Sequence, residues 1–342
     1  MKKILLACMV LCAFSFSAGA AEYTDGRIRL VINENTGRFS LYFMTDIARE
    51  RYFPFFVDRD PRTSFLALMV NNRNYRMGES FSFKTRLGGT PSNPVLIFES
   101  SFLTVTEEFS FVRTGSSSLT NGIRLTISIT NRGERPVEAG ARLLIDTTLG
   151  EEGSSHFITD RRQIHSEAVI DASSGDSYWI SKNDQLALMG SVDAQNLSRP
   201  DFIHLANWKR LNDTPWKIPF ISGRNFNFLP YSINDSAVCY YYEPAVISPG
   251  ASRIISIVLA SEDENGFAVN NTVPDDLSQL IQSSAKFEGE DLRESIKTDL
   301  ITLRDMVTRL DTYLSSGISA PDDELAAIGL LISKIKSKYG IP

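Results

Sequence analysis

The chain has little cysteine and little histidine: three of each in 342 residues. Cys8 and Cys12 fall in the N-terminal segment, which leaves Cys239 alone in the rest of the chain. An internal disulfide framework is therefore excluded, and a chain of this length is held by its core. Cys239 lies in the apolar and aromatic run Ala237-Val238-Cys239-Tyr240-Tyr241-Tyr242 and reads as a small buried hydrophobe. No C-x-x-C pair exists, which removes thiol redox chemistry of that type. His156, His165 and His204 stand nine and thirty-nine residues apart, a spacing that matches no metal-ligand pattern. There is no nucleophile elbow, phosphate-binding glycine loop, dinucleotide fingerprint or zinc-protease motif. No cofactor and no metal are expected. Lys plus Arg number 35 against 41 Asp plus Glu, and no basic block occurs, so nucleic acid is not an expected partner.

What is present begins with an export signal. Lys2 and Lys3 form a positive start, Ile4 to Phe16 an apolar stretch, and Ala18-Gly19-Ala20 a small-residue cleavage pattern. Residues 1–20 read as a signal peptide, and the expected location is the periplasm or beyond. Leu5-Leu6-Ala7-Cys8 looks like a lipobox, but cleavage there leaves too short an apolar stretch. Beyond residue 20 no apolar run is long enough to span a bilayer.

Residues 21–262 alternate as strands do. In Ile123-Arg124-Leu125-Thr126-Ile127-Ser128-Ile129 every odd position is apolar. Hairpins are expected around Asn33–Gly37 and Asn71–Asn74. Many short strands with no helical runs between them predict a large antiparallel β-sandwich. The remainder has the helical period. Residues 263–287 read as a linker with a short helix over 275–284, and 288–342 as a helical hairpin. Ile296, Leu300, Leu303, Val307, Leu310 and Leu314 mark one arm. Leu325, Ile328, Ile332, Ile335 and Tyr339 mark the other, with Pro321 in its first turn. Such a hairpin either covers the sandwich or serves self-association.

Two groups of side chains could carry function. The first is titratable. Asp146 ends the apolar run Leu143-Leu144-Ile145, where a carboxylate either caps a turn or points into a site. With Glu151, Glu152, Asp160 and Glu167 it could supply a carboxylate pair of the kind glycosidic chemistry needs. His156 and His204 are further acid–base candidates. The second is aromatic. Trp208, Trp216, Arg224, Phe226 and Tyr231 lie in a long stretch without clear strand signal, and such residues serve cores, protein interfaces and sugar platforms alike.

Several segments in order resemble a group of exported bacterial β-sandwich proteins of undefined function. These are Leu143-Leu144-Ile145-Asp146-Thr147-Thr148-Leu149-Gly150, Arg199-Pro200-Asp201-Phe202, Ala206-Asn207-Trp208, Asp235-Ser236-Ala237-Val238, Tyr242-Glu243-Pro244 and Pro249-Gly250. The resemblance covers about residues 137–260. Glu151-Glu152-Gly153-Ser154-Ser155-His156-Phe157 departs from the Asn-Asp-Gly-x-Pro-Phe stretch usual after that glycine, and Tyr242 stands where Trp is usual. The β half is also similar to galactose-mutarotase-like supersandwiches, and the whole to spirochaete periplasmic proteins. The leading expectation is a non-catalytic envelope protein that binds a protein partner or a glycan. The alternative is a carbohydrate-active enzyme of mutarotase, lyase or hydrolase type, using Asp146, His156 and His204.

Overall fold

The computed structural model describes residues 20–46, 49–57, 61–115, 117, 119–262, 269–270, 307, 310, 313 and 319–339. The signal segment up to residue 19, the short helix over 275–284 and most of the first hairpin arm lie outside the described residues.

In chain order the first strands are β1 (Ala20–Asp25), β2 (Ile28–Asn33), β3 (Arg38–Asp46), β4 (Arg51–Pro54), β5 (Phe65–Val70) and β6 (Arg73–Arg76). There follow β7 (Lys84–Thr90), β8 (Asn93–Glu99), β9 (Leu103–Thr114), β10 (Gly122–Asn131), β11 (Val137–Asp146), β12 (Phe157–Thr159) and β13 (Gln163–Ile164). The last are β14 (Ala168–Asp171), β15 (Tyr178–Lys182), β16 (Ala187–Ser191), β17 (Phe202–Asn207), β18 (Ser236–Ile247), β19 (Ser252–Ser261) and β20 (Val269–Asn270). Among the described residues a 3-10 turn (Pro61–Thr63) and one short α-helix, α1 (Trp208–Asp213), interrupt them, and α2 (Asp322–Tyr339) lies near the C-terminus.

The first four strands make one antiparallel sheet. A six-stranded sheet runs β14-β17-β18-β11-β5-β6. A ten-stranded sheet runs β13-β12-β15-β16-β19-β10-β9-β8-β7, with β20 added beside β9. All pairings are antiparallel, as the alternating pattern requires.

The inner faces of the two larger sheets meet in one apolar cluster. Ile123, Leu125, Ile127 and Ile129 of β10 are all buried there, opposite Leu143 and Ile145 of β11 and Val238, Tyr240 and Tyr242 of β18. Ile28, Leu30, Ile32 and Leu41 of the four-stranded sheet join the same cluster. The indole of Trp179 donates to Tyr240 Oη at 2.6 Å, and that hydroxyl donates to the Ser191 carbonyl at 2.9 Å. One inward position breaks the apolar pattern. Glu107, between Val105 and Phe109 on β9, is buried, and burial raises its carboxyl to about 8, with the Arg38 guanidinium opposing the rise.

Two turns show how the sheets are tied together. Val70 pairs Arg73, so Asn71 and Asn72 alone make the connection, at φ of 46° and 63°. This two-residue turn is tighter than the four-residue one expected, because Asn tolerates the left-handed region a right-twisted hairpin needs. Gly78 comes so close to the β2–β3 connection that a Cβ there would sit 1.9 Å from the Thr36 carbonyl oxygen. β1, β4, β12, β13, β14 and α1 had no countable signal, since each is too short or too exposed to display a period.

At the C-terminus, Ala327, Ile328, Leu331 and Ile335 of α2 are buried against Leu119 of the sandwich and Leu310 of the first arm. Leu325 and Ile332, expected in the buried stripe, are 46% and 41% exposed. The seam is turned towards Leu331 because Leu119 as well as Leu310 sits against it. Tyr313 donates to Glu324 between the two helical pieces. Among the described residues no helix is long and apolar enough to cross a membrane.

Candidate functional site at the acidic end of the six-stranded sheet

The outer face of the six-stranded sheet is set by strand parity. On β11 the odd residues enter the sandwich core, so Arg142, Leu144 and Asp146 face outward. Register places Phe202, Tyr241 and Arg142 in one row, His204, Cys239 and Leu144 in the next, and Ala206, Ala237 and Asp146 in the third.

Residues 207–235 roof this face. Asn207, wholly buried, holds the roof from inside. Its carbonyl oxygen Oδ1 accepts from the Arg210 amide and caps α1, while Nδ2 donates to the Phe226 and Asp235 carbonyls and to Ser232 Oγ, each at 2.9 Å. Leu211 and Ile218 then pack with Phe65, Leu144, Cys239 and Tyr241 into a second core, flanked by Trp208 and Trp216. Trp208 donates to the Thr63 carbonyl, and Tyr241 Oη to the Trp216 carbonyl. Beneath the roof Arg142 donates to the carbonyls of Leu211, Thr214 and Pro215. Glu167 is buried in an ion pair with Arg210, with Arg224 Nε at 3.9 Å. His204 is buried between this roof and the sheet, and burial with the nearby Arg142 charge lowers it to about 4, so it is neutral at pH 7.

Three carboxyl groups meet where β11 ends. Asp146 is 4% exposed, and Glu151 and Asp235 are half-buried. Burial is the main cause that lifts all three. Asp146 is raised to about 8, helped by the charges of Asp235 and Glu151, while a hydrogen bond from Thr63 opposes the rise. Glu151 is raised to about 7, helped by Asp235 and Glu152 and opposed by the Ser236 amide, which donates to its Oε1 at 3.0 Å. Asp235 is raised and is held by the Ser232 hydroxyl. The loop from Thr147 to His156 folds tightly back, and Gly150 is required because a Cβ there would lie 2.0 Å from the His156 carbonyl oxygen. That fold brings His156 to the same place. Its ring stacks on Phe226 with centroids 4.2 Å apart, and Nε2 lies 3.3 Å from Asn234 Oδ1. Asn234 Nδ2 in turn donates to the Glu151 carbonyl at 2.5 Å. Burial lowers the His156 pKa.

Asp146 and His156 therefore border one polar network. His204 does not join it. It lies two strands across and two residues along from Asp146, about 12 Å by sheet spacing, well beyond hydrogen-bond reach. Among the aromatic-segment candidates, Phe226 is buried, Trp208 and Trp216 are half-buried in the second core, and Arg224 is half-buried beside Glu167. Tyr231 is 67% exposed, with Leu229 at 69% and Ile233 at 72% on the same loop tip. Asp235 enters the sequence reading only as the first residue of the Asp-Ser-Ala-Val segment, and Asn234 only as its neighbour. Among the described residues no cluster of His, Cys, Asp and Glu is arranged to hold a metal ion.

No family model matches the sequence, and no curated protein matches it. Some solved structures are similar to it at low scores. A galactose mutarotase related enzyme from Lactobacillus acidophilus is 7% identical over 73% of this chain and 99% of its own, with a TM-score of 0.40. A GalM/aldose epimerase homologue from C. elegans is 9% identical over 71% of this chain and 98% of its own, with a TM-score of 0.42. Heparan sulfate lyase HepC from Pedobacter heparinus is 10% identical over 76% of this chain and 38% of its own, with a TM-score of 0.38.

Proposed function

We propose that this is an exported, carbohydrate-active β-sandwich protein that moves a proton on a sugar at the acidic end of the six-stranded sheet. The observation that carries this reading is the coupled trio Asp146, Glu151 and Asp235, in which Asp146 is raised to about 8 and Glu151 to about 7. A carboxyl poised near neutrality both gives and takes a proton at physiological pH. Glu151, half-buried, is the reachable acid–base group. Asp235 supplies the neighbouring charge, and Asp146 behind them stays protonated through most of the neutral range. Exposed Asn234 stands beside these acids, its amide donating to the Glu151 carbonyl and its Oδ1 facing His156. The export reading rests on residues 1–20, and cell fractionation checks it.

The test follows the full chain by NMR with a panel of reducing sugars and polysaccharides, reading anomer exchange, chain cleavage and unsaturated products. Catalysis of one of these, reduced about a hundredfold or more by Glu151→Gln, is the expected result. A panel left unchanged by the wild-type protein overturns the reading.

A second reading, a non-catalytic binder of an envelope protein, is favoured by the exposed tip Leu229, Tyr231 and Ile233. Retention of an envelope partner by the wild type, lost in Leu229→Ser with Ile233→Ser while Glu151→Gln retains it, would favour that reading.

A further inference from the structure

Away from the acid trio, a cleft of about 410 Å³ opens between the β2–β3 connection and the segment joining β6 to β7. Its volume falls in the usual range for small-ligand sites. Glu34, Asn35, Glu79, Ser80 and Thr85 supply its polar lining, and Phe81 stands at its rim. Phe81 is fully exposed, the most exposed large apolar side chain among the described residues.

That exposure is imposed by the segment's own bonding. The amides of Glu79 and Ser80 both donate to the Arg76 carbonyl, at 3.3 and 3.0 Å, and the Phe83 amide donates to the Ser80 carbonyl at 3.1 Å. Phe83 is buried, edge-on to Tyr75 at 5.6 Å and to Phe102 at 6.1 Å. With Glu79, Ser80 and Phe83 anchored, the backbone that carries Phe81 is held and its ring projects into water at the rim of the cleft.

The charge of the cleft narrows the ligand. The Glu79 carboxylate is engaged by Arg38 Nη2 at 2.7 Å and by Arg76 Nη1 at 3.6 Å. Glu34 is then the remaining acid in the lining, which disfavours an anion. One carboxylate, an amide and two hydroxyls around a bare aromatic face suit a molecule with hydroxyls on its edge, an apolar C–H face and no charge. We propose that this cleft is a binding subsite for a neutral oligosaccharide, with a sugar ring stacked on Phe81 and its hydroxyls bonded to Glu34, Ser80 and Thr85. It is separate from the acid trio and does not depend on catalysis there.

The test titrates the full chain with maltohexaose and with N-acetylchitohexaose by calorimetry and ligand-observed NMR. The expected result is saturable binding of at least one, with a Kd of about 1 mM or tighter, weakened at least about tenfold by Phe81→Ala. Glu34→Gln weakens it less, and Glu151→Gln leaves it in place, which separates this site from the proposed catalytic one. Because Phe81 is exposed, its truncation leaves the thermal midpoint unchanged. The proposal is overturned if neither saccharide binds, if Phe81→Ala binds as the wild type does, or if binding disappears only in Glu151→Gln. Preference for an oligolysine peptide over both saccharides overturns it as well.

Discussion

Arg142 Nη1 donates to the carbonyl oxygen of Thr214 at 2.7 Å, joining the middle of a strand to the residue that ends a helix 72 positions later. The same guanidinium donates to the Leu211 carbonyl and, at 3.3 Å, to that of Pro215. Carbonyls at a helix C-terminus have no intrahelical partner, and a cation there also meets the negative end of the helix dipole. A single buried arginine thereby anchors the roof over the outer sheet face, and with it both roof tryptophans.

Replacing that arginine releases the roof. Arg142→Met fills much of the same volume but leaves the three carbonyls without their donor. The loss is expected to be about 2–4 kcal/mol, since each buried group left unpaired bears its own desolvation cost. Urea unfolding measures it. Red-shifted emission from Trp208 and Trp216 in the folded variant reports the loosened roof, and an unshifted spectrum with wild-type stability would show that the roof holds without Arg142.

The acid trio makes a prediction about charge coupling. Asp235 is among the causes that raise both Asp146 and Glu151, so Asp235→Asn lowers both. Carboxyl NMR titration reads the shift for each group. For stability the sign is fixed by the raised values. Against unfolded values of 3.8 for Asp146 and 4.5 for Glu151, the protonated forms favour folding. Their contribution is complete below pH 4 and is lost as pH rises through about 7 and 8. Asp146→Asn therefore gains on the wild type at pH 9 relative to pH 5 in thermal midpoint. A constant difference between the two pH values would remove the coupling.

The sandwich was readable wherever a strand is long enough to show its period. Four alternating apolar residues of β10 predict their own burial, and Asp146 announces itself as the polar end of a buried run. The trio was half-visible: Glu151 follows Asp146 closely, but Asp235 arrives by a pairing between β11 and β18 that no local pattern encodes. Glu107 and Phe81 contradict their local patterns, a charge facing the core and a phenylalanine facing water, while Arg142 keeps its outward place on β11 yet is buried beneath the roof. Only tertiary neighbours explain such residues. The α2 stripe slipped for the same reason, because Leu119, a residue of the sandwich, helps decide which face is covered.

Glu107 offers a separate pH test. Its carboxyl faces the apolar core and is raised from 4.5 to about 8. The neutral form favours folding, so this contribution is present below pH 4.5 and is lost as pH rises to about 8. At pH 8 the loss approaches an upper limit of about 4 kcal/mol. Glu107→Gln keeps the shape and cannot ionise. It is expected to match the wild type near pH 5 and to be more stable above pH 8 in denaturant unfolding. Equal pH profiles for the two proteins would show that Glu107 stays paired as an anion with Arg38.

Tyr240 provides the sharpest test of core polarity. Its hydroxyl accepts from the Trp179 indole and donates to the Ser191 carbonyl, and all three residues are buried. Burial pushes the phenol above its ordinary value, so it remains a donor throughout the neutral range and the link is insensitive to pH there. Tyr240→Phe leaves an indole N–H and a carbonyl facing apolar surroundings, at about 2–4 kcal/mol. Tyr242→Phe removes a single bond, from Tyr242 Oη to the half-buried Ser198 at 3.0 Å, and costs about 1 kcal/mol. Chemical unfolding of the two variants side by side distinguishes them. Equal losses would mean that relaxed core packing, not the paired hydroxyl, sets the cost at Tyr240.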